Sequence, residues 1–201
     1  MLSIKKRQEY LKYLGFYKGA VDGIAGNLTK QAIKELQDKY FTRKSDRDGV
    51  YGKNTDILLV NAYRVKKYTK NFDLKEFKCG CGGKYCTGYP VYLSISLLKD
   101  LQTMRDIYGA IKITSPLRCS RHNRELTGSV AGSYHTKGKA LDLYNAKFSV
   151  NFTTRKNAIE KWLTLPDANM GYENGYMHHK GKASTGYNAP NMGNVIHVQV
   201  N

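Results

Sequence analysis

Apolar residues recur at helical spacing in three early segments of the chain. Ile4, Leu11 and Leu14 share one face, with Gly15 placed to end the segment, and Ala32, Ile33, Leu36 and Tyr40 repeat the pattern. Leu58, Ala62 and Val65 give the third face. Short amphipathic helices of this kind predict a compact three-helix bundle over residues 1–66. The polar run Lys66-Lys67-Tyr68-Thr69-Lys70-Asn71 then breaks the periodicity and reads as a linker, taken as residues 67–72. The remaining residues, 73–201, mix helices and strands. Leu93, Leu97, Leu101 and Met104 mark a helix, followed by a strand from Ile111 to Thr114 and a short helix from Arg121 to Leu126. A strand from Ala140 to Tyr144, a helix carrying Ala158, Ile159 and Trp162, and strand-like stretches from Met170 to Met177 and from Val195 to Val200 complete it. Without regular βαβ alternation, this order predicts an α+β domain with a mostly antiparallel sheet, preceded by the small three-helix bundle.

Between the helices of the bundle lies a repeat. Asp22-Gly23-Ile24-Ala25-Gly26-Asn27-Leu28-Thr29 returns as Asp48-Gly49-Val50-Tyr51-Gly52-Lys53-Asn54-Thr55, the pattern D-G-x-x-G-x-x-T in both. Each copy reads as a turn whose glycines accept positive φ, with Thr29 or Thr55 expected to cap the helix that follows. The arrangement of helix, turn, helix and second turn resembles the peptidoglycan-binding domain of bacterial and phage wall hydrolases, over residues 1 to about 66. That resemblance implies a noncatalytic unit that holds its partner on the cell wall.

Composition removes several alternatives. At 41% hydrophobic and 24% charged residues the chain is ordinary globular material. Its longest apolar runs, such as Ile57 to Val60, fall far short of the roughly 20 residues of a spanning helix, so no membrane insertion is expected. Lys and Arg number 33 against 16 Asp and Glu, a formal net charge of +17. The charge is shared almost equally between the two halves and points to a polyanionic partner. Sixteen Tyr interleaved with Lys would suit single-stranded nucleic acid, but the usual nucleic-acid-binding signatures are missing, so no such partner is expected. Charged residues occupy the start, Met1 to Arg7, where an export signal would need apolar ones, so no signal peptide is expected.

The chemistry lies in the second unit. On a strand from Lys139 to Tyr144, Asp142 points away from Leu141 and Leu143, and on a strand from Val195 to Val200, His197 and Gln199 point away from Ile196, Val198 and Val200. His135 from a loop would complete a three-ligand set with an open fourth position, the pattern of a catalytic zinc. The motif S-x-H-x-x-G-x-A-x-D from Ser133 to Asp142 resembles the M15 family of zinc peptidases, which includes D-Ala-D-Ala carboxypeptidases and phage peptidoglycan endopeptidases. The segment from Ile113 to Asn123 is similar to that family's T-S-G-Y-R-C-x-x-H-N, and Ile196-His197-Val198 to its final ligand strand; the resemblance covers roughly residues 72–201. It implies that His135, Asp142 and His197 bind Zn2+ and that Arg118 helps hold the substrate carbonyl or the developing oxyanion. Ser133 is a candidate substrate contact, or a turn hydroxyl.

The chain departs from the family's pattern in one role. Many relatives place an acid three residues before or two after the last ligand as general base. Here those positions are Asn194 and Gln199, neither of which takes up a proton at neutral pH, so Gln199 holds a candidate catalytic position without the usual group. Glu173, His178 and His179 are possible substitutes, although a solvent-exposed hairpin is the expectation for them. Pro116 and Leu117 replace the usual Gly and Tyr beside Arg118. Cys79, Cys81, Cys86 and Cys119 leave three states open: a structural zinc, two disulfides or free thiols. The reading that results is a peptidoglycan hydrolase resembling a phage endolysin. It is expected in the host cytoplasm until release, then on a Gram-positive wall with its anionic polymers. The alternative is a wall-binding protein whose peptidase domain no longer hydrolyses.

Overall fold

The computed structural model describes residues 1–186 and 192–201. Its N-terminal part is three helices, α1 (Ile4–Leu14), α2 (Asn27–Tyr40) and α3 (Lys53–Tyr68). After them come α4 (Ile95–Tyr108), β1 (Lys112–Ser115), α5 (Ser120–Glu125), β2 (Ala140–Tyr144) and α6 (Phe152–Leu163). The chain then forms β3 (Ala168–Glu173), β4 (Tyr176–His179), β5 (Thr185–Gly186) and β6 (Ile196–Val200). All described pairings are antiparallel, in the order β1-β2-β6-β3-β4-β5. The expected α+β class with a preceding three-helix bundle is therefore the observed one. The stretch from Met170 to Met177 is two strands, because Asn174 and Gly175 turn the chain between β3 and β4.

The repeat folds around a residue type that lies outside it. In the first copy the Gln8 amide of α1 donates to Asp22 Oδ1 (2.7 Å), Ile24 O (3.0 Å) and Thr29 Oγ1 (3.2 Å), and its Oε1 accepts the Gly23 N–H (2.8 Å). Gln37 of α2 makes the same four bonds in the second copy, to Asp48, Val50, Thr55 and the Gly49 N–H. Gly23 and Gly49 hold φ of 78° and 75°, where a Cβ would be strained. Both Gln side chains are buried, so each closed network satisfies an amide that would otherwise be costly. The threonines do not cap: Gly26 and Gly52 are the N-cap residues. Thr29 and Thr55 sit third in their helices, where burial turns their hydroxyls inward onto Gln8 and Gln37.

Helix α3 explains the apolar run from Ile57 to Val60. It packs against α1 and α2 on one side and α4 on the other, so it is buried around most of its circumference. It continues through Lys67 and Tyr68, and a single apolar cluster runs from Leu11, Leu36 and Leu58 through Leu97 and Leu101 to Trp162. Polar bonds reinforce the contact. Asn61 exchanges bonds with Val91 O and Leu93 N–H, both 2.8 Å. The buried Asp56 carboxylate accepts from Leu2 N–H (2.6 Å), Tyr51 (2.8 Å) and Tyr92 (2.6 Å).

Asp100 on α4 is less well served: only 3% exposed, it leaves Oδ2 without a partner. Burial, followed by the nearby Asp167 charge, pushes its pKa up to about 6. The folded state then keeps a proton that the unfolded chain releases near 3.8, so this carboxyl's contribution to stability is lost as pH rises between those values. Asp100→Asn is expected to raise stability by about 1–2 kcal/mol above pH 6 and to flatten the pH dependence below it. Urea unfolding across that range measures both; an unchanged profile would show that Asp100 is already ionised without penalty.

Candidate metal centre and its cleft

The sheet places chemistry on one face and core on the other. Across the register, Asp142 on β2 stands opposite His197 on β6, and His197 opposite Tyr172 on β3. These share a face with Gln199 and Met170, while Leu141, Val198 and Gly171 face α6. Gly171 allows that packing, since a Cβ there would meet Ile159 at 2.7 Å. His135 comes from the turn Tyr134–Lys137, which ends at Gly138 with φ of 71°. An added Cβ at Gly138 would collide with the Tyr92 carbonyl, so the turn requires glycine.

The three donors converge. His135 Nε2 lies 3.3 Å from Asp142 Oδ1, His197 Nδ1 lies 2.8 Å from the same oxygen, and the two ring nitrogens are 3.3 Å apart. Their outer hydrogen bonds fix the tautomers. His135 Nδ1 is 2.9 Å from the Pro116 carbonyl, which can only accept, so Nε2 presents its lone pair inward. His197 Nε2 is 3.3 Å from Gln199 Oε1, leaving Nδ1 as the inward lone pair. Three acceptors thus face one another, which is repulsive unless a cation lies among them. At about 2.0–2.1 Å from a metal, tetrahedral N and O ligands stand about 3.3 Å apart, and two of the three separations match. The donor set fits a zinc ion with a further position left for water or substrate.

Electrostatics favour the same protonation states. Burial would raise Asp142, but without a cation among the donors a proton on the inward nitrogen of His135 or His197 would bond to it and hold it well below the usual carboxylate range. Burial lowers His135, aided by His197 and Arg118. Both groups therefore stay ready as ligands into mildly acidic solution.

Arg118 is held at the rim. Its Nε and Nη2 donate to Ser115 Oγ at 3.1 and 2.7 Å, and Nη2 reaches Asp142 Oδ2 at 3.3 Å. Arg118, Ser133, His135, Tyr172, His197 and Gln199 line a common cleft of about 320 Å³. Ser133 is buried and its carbonyl accepts the Thr136 N–H and hydroxyl, so it also builds the turn that carries His135. Asn194 is exposed in the turn before β6 and is not among the lining residues. Glu173 and His178 depart from the exposed hairpin expected of them. Both are buried on the opposite face of the sheet, where Glu173 pairs with Arg155 of α6 at 3.2 Å. Of the three substitutes only His179 shares the site's face, across Met170 and two strands from Gln199, roughly 10 Å away.

Tyr172 was not singled out in the sequence, and Pro116 was noted there only as a departure beside Arg118. Tyr172 stacks on His197 at 4.3 Å with an interplanar angle of 15°, and the Pro116 carbonyl sets the His135 tautomer. Neither has a local signal: the first depends on strand register and the second on a backbone atom.

An antiparallel sheet carrying two histidines and an aspartate beside an arginine-rimmed cleft defines an α+β protein with a donor set able to hold a metal ion. The family model described as Peptidase M15 matches residues 70–180, more than half of the chain, and the chain belongs to that family. The matched span holds Arg118, His135 and Asp142, and His197 lies beyond it. A model for a peptidoglycan binding domain matches residues 3–56. Two spore cortex-lytic enzymes of Bacillus cereus are each 38% identical to the chain over 76 residues, 38% of this chain and 28% of theirs. The chain thus spans 28% of the length of these curated relatives. Among the described residues, no helix is long and apolar enough to cross a membrane.

Proposed function

We propose that the protein is a zinc-dependent peptidoglycan hydrolase that cuts a peptide bond in the stem peptides or cross-links of the bacterial wall. The observation that carries this reading is the set of three inward lone pairs on His135, Asp142 and His197 within a cleft rimmed by Arg118. Held there, zinc supplies Lewis acidity toward a scissile carbonyl and toward water. Arg118 offers fixed guanidinium donors for charge developing on the carbonyl oxygen, while its bonds to Ser115 and Asp142 limit how far it moves. Gln199 keeps the His197 tautomer, and Ser133 shapes the wall of the cleft.

Residues 1–66 act as the wall-binding part and residues 73–201 as the peptidase, with the similarity to cortex-lytic enzymes supporting peptidoglycan as the shared target. The net charge of +17 suits a Gram-positive wall and its anionic polymers, and an endolysin stored in the host cytoplasm until lysis is the role that unites these features.

The test is the turbidity of isolated cell walls treated with zinc-loaded protein, with and without a chelator, followed by mass spectrometry of the released peptides. Clearing that the chelator stops, with new peptide termini, is the expected result. Intact walls and no released peptide from zinc-loaded protein would sink the enzymatic reading. One observation favours the non-hydrolytic alternative: among the described residues, no carboxylate lines the cleft beside the three donors.

A further inference from the structure

Four cysteines that do not line the cleft converge on one another. Cys79, Cys81, Cys86 and Cys119 place all four Sγ atoms within 4.8 Å of one another, with Cys81 and Cys86 at 3.4 Å. They come from two places in the chain. Three lie on the turn-rich segment 79–88, whose ends close through Cys79 N–H to Gly88 O at 2.8 Å, and the fourth directly precedes α5. Backbone amides point at the sulfurs: the Cys119 N–H donates to Cys79 Sγ and the His122 N–H to Cys119 Sγ, both at 3.4 Å.

We propose that Cys79, Cys81, Cys86 and Cys119 bind a second, structural zinc ion that fastens segment 79–88 to the residue next to Arg118. At a zinc–sulfur distance of about 2.3 Å, tetrahedral sulfurs stand about 3.8 Å apart, which the observed range brackets. Two disulfides would sort the sulfurs into two close pairs, whereas here the four form one cluster and every cysteine is free. Four thiolates packed so closely repel one another without a cation, and four protein ligands leave no position open for substrate. The role is therefore holding, not catalysis. The ion joins positions 40 residues apart. It fixes the backbone at Cys119, one residue from Arg118, whose own N–H is bonded to the His135 carbonyl at 3.2 Å. The same segment touches the helical bundle, where the Thr42 N–H donates to Thr87 O at 3.2 Å. Metal binding would thus steady both the rim of the cleft and the junction with the bundle.

The full-length protein, purified with zinc and desalted, tests this by elemental analysis. Two zinc ions per chain are expected in the parent and one in His135→Ala, which keeps all four cysteines. Cobalt(II) loaded into His135→Ala should give the intense near-ultraviolet sulfur-to-metal absorption of thiolate ligation, and Cys79→Ser with Cys119→Ser should abolish it. Thiol titration in denaturant with chelator should count four thiols, most of them protected in the native zinc form. A metal-free His135→Ala, or a denatured parent without titratable thiols, overturns the proposal. Both measurements stand even where the cysteine variants fail to fold, and neither depends on wall hydrolysis.

Discussion

His135→Ala is expected to cut hydrolysis of wall peptides by about 10³-fold or more and to remove one equivalent of zinc. The size follows from what the metal contributes: loss of about 4 kcal/mol of transition-state stabilisation is about 10³ in rate. The His135 ring is 2% exposed, bonded to Pro116 on one side and aimed at Asp142 and His197 on the other, so water has little room to replace it as a ligand. Removing it leaves two donors, and a two-donor site holds zinc far more weakly than a three-donor one. Steady-state rates on a purified cross-linked muropeptide, with metal content measured on the same sample, check both halves. A variant retaining rate within tenfold and its full zinc would exclude His135 from the centre. Activity lost without zinc lost would instead place its role in substrate contact.

Much of this centre could be read in the sequence because its parts obey period-two alternation. Asp142 between Leu141 and Leu143, and His197 between Ile196 and Val198, have to point away from the core, and each stands within a strand clear enough to place. The repeat was visible for a similar reason, since its turns need glycine at fixed offsets. Other features could not be read. Gln8 and Gln37 stand 14 and 11 residues before the aspartates they bind, so their equivalence emerges only when the two turns are superposed in space. The depth of Glu173 and His178 depends on α6 lying across the back of β3 and β4, a tertiary fact that no local pattern carries. The joined core between bundle and sheet was hidden for the same reason, because a polar run from Lys66 to Asn71 looks like a linker whether or not its neighbours pack together.

Gln199→Asp is expected to raise hydrolysis by about 10²-fold or more, the scale of a positioned general base, without loss of zinc. Gln199 lies two residues beyond His197 on the same face of β6, and its Oε1 already accepts from His197 Nε2 at 3.3 Å. An aspartate there would keep an acceptor for that ring N–H and add a group able to take up a proton, which the amide cannot. The two functions separate in a second substitution. Gln199→Ala removes the tautomer hold alone and is expected to weaken zinc binding about 10–100-fold, the usual effect of losing an outer-shell partner. The pH profile distinguishes a new base from better packing, since only a carboxylate introduced by Gln199→Asp would add an acidic limb set by its own ionisation. A slow but measurable parent that Gln199→Asp accelerates supports a working peptidase with a compromised base. An inert parent that the substitution awakens supports the non-hydrolytic reading, in which the centre keeps its metal and its grip on peptide while hydrolysis is lost. A fast parent that Gln199→Asp slows would mean that proton removal runs through another group. His179 is then the first to test, because it is the one alternative on the same face of the sheet.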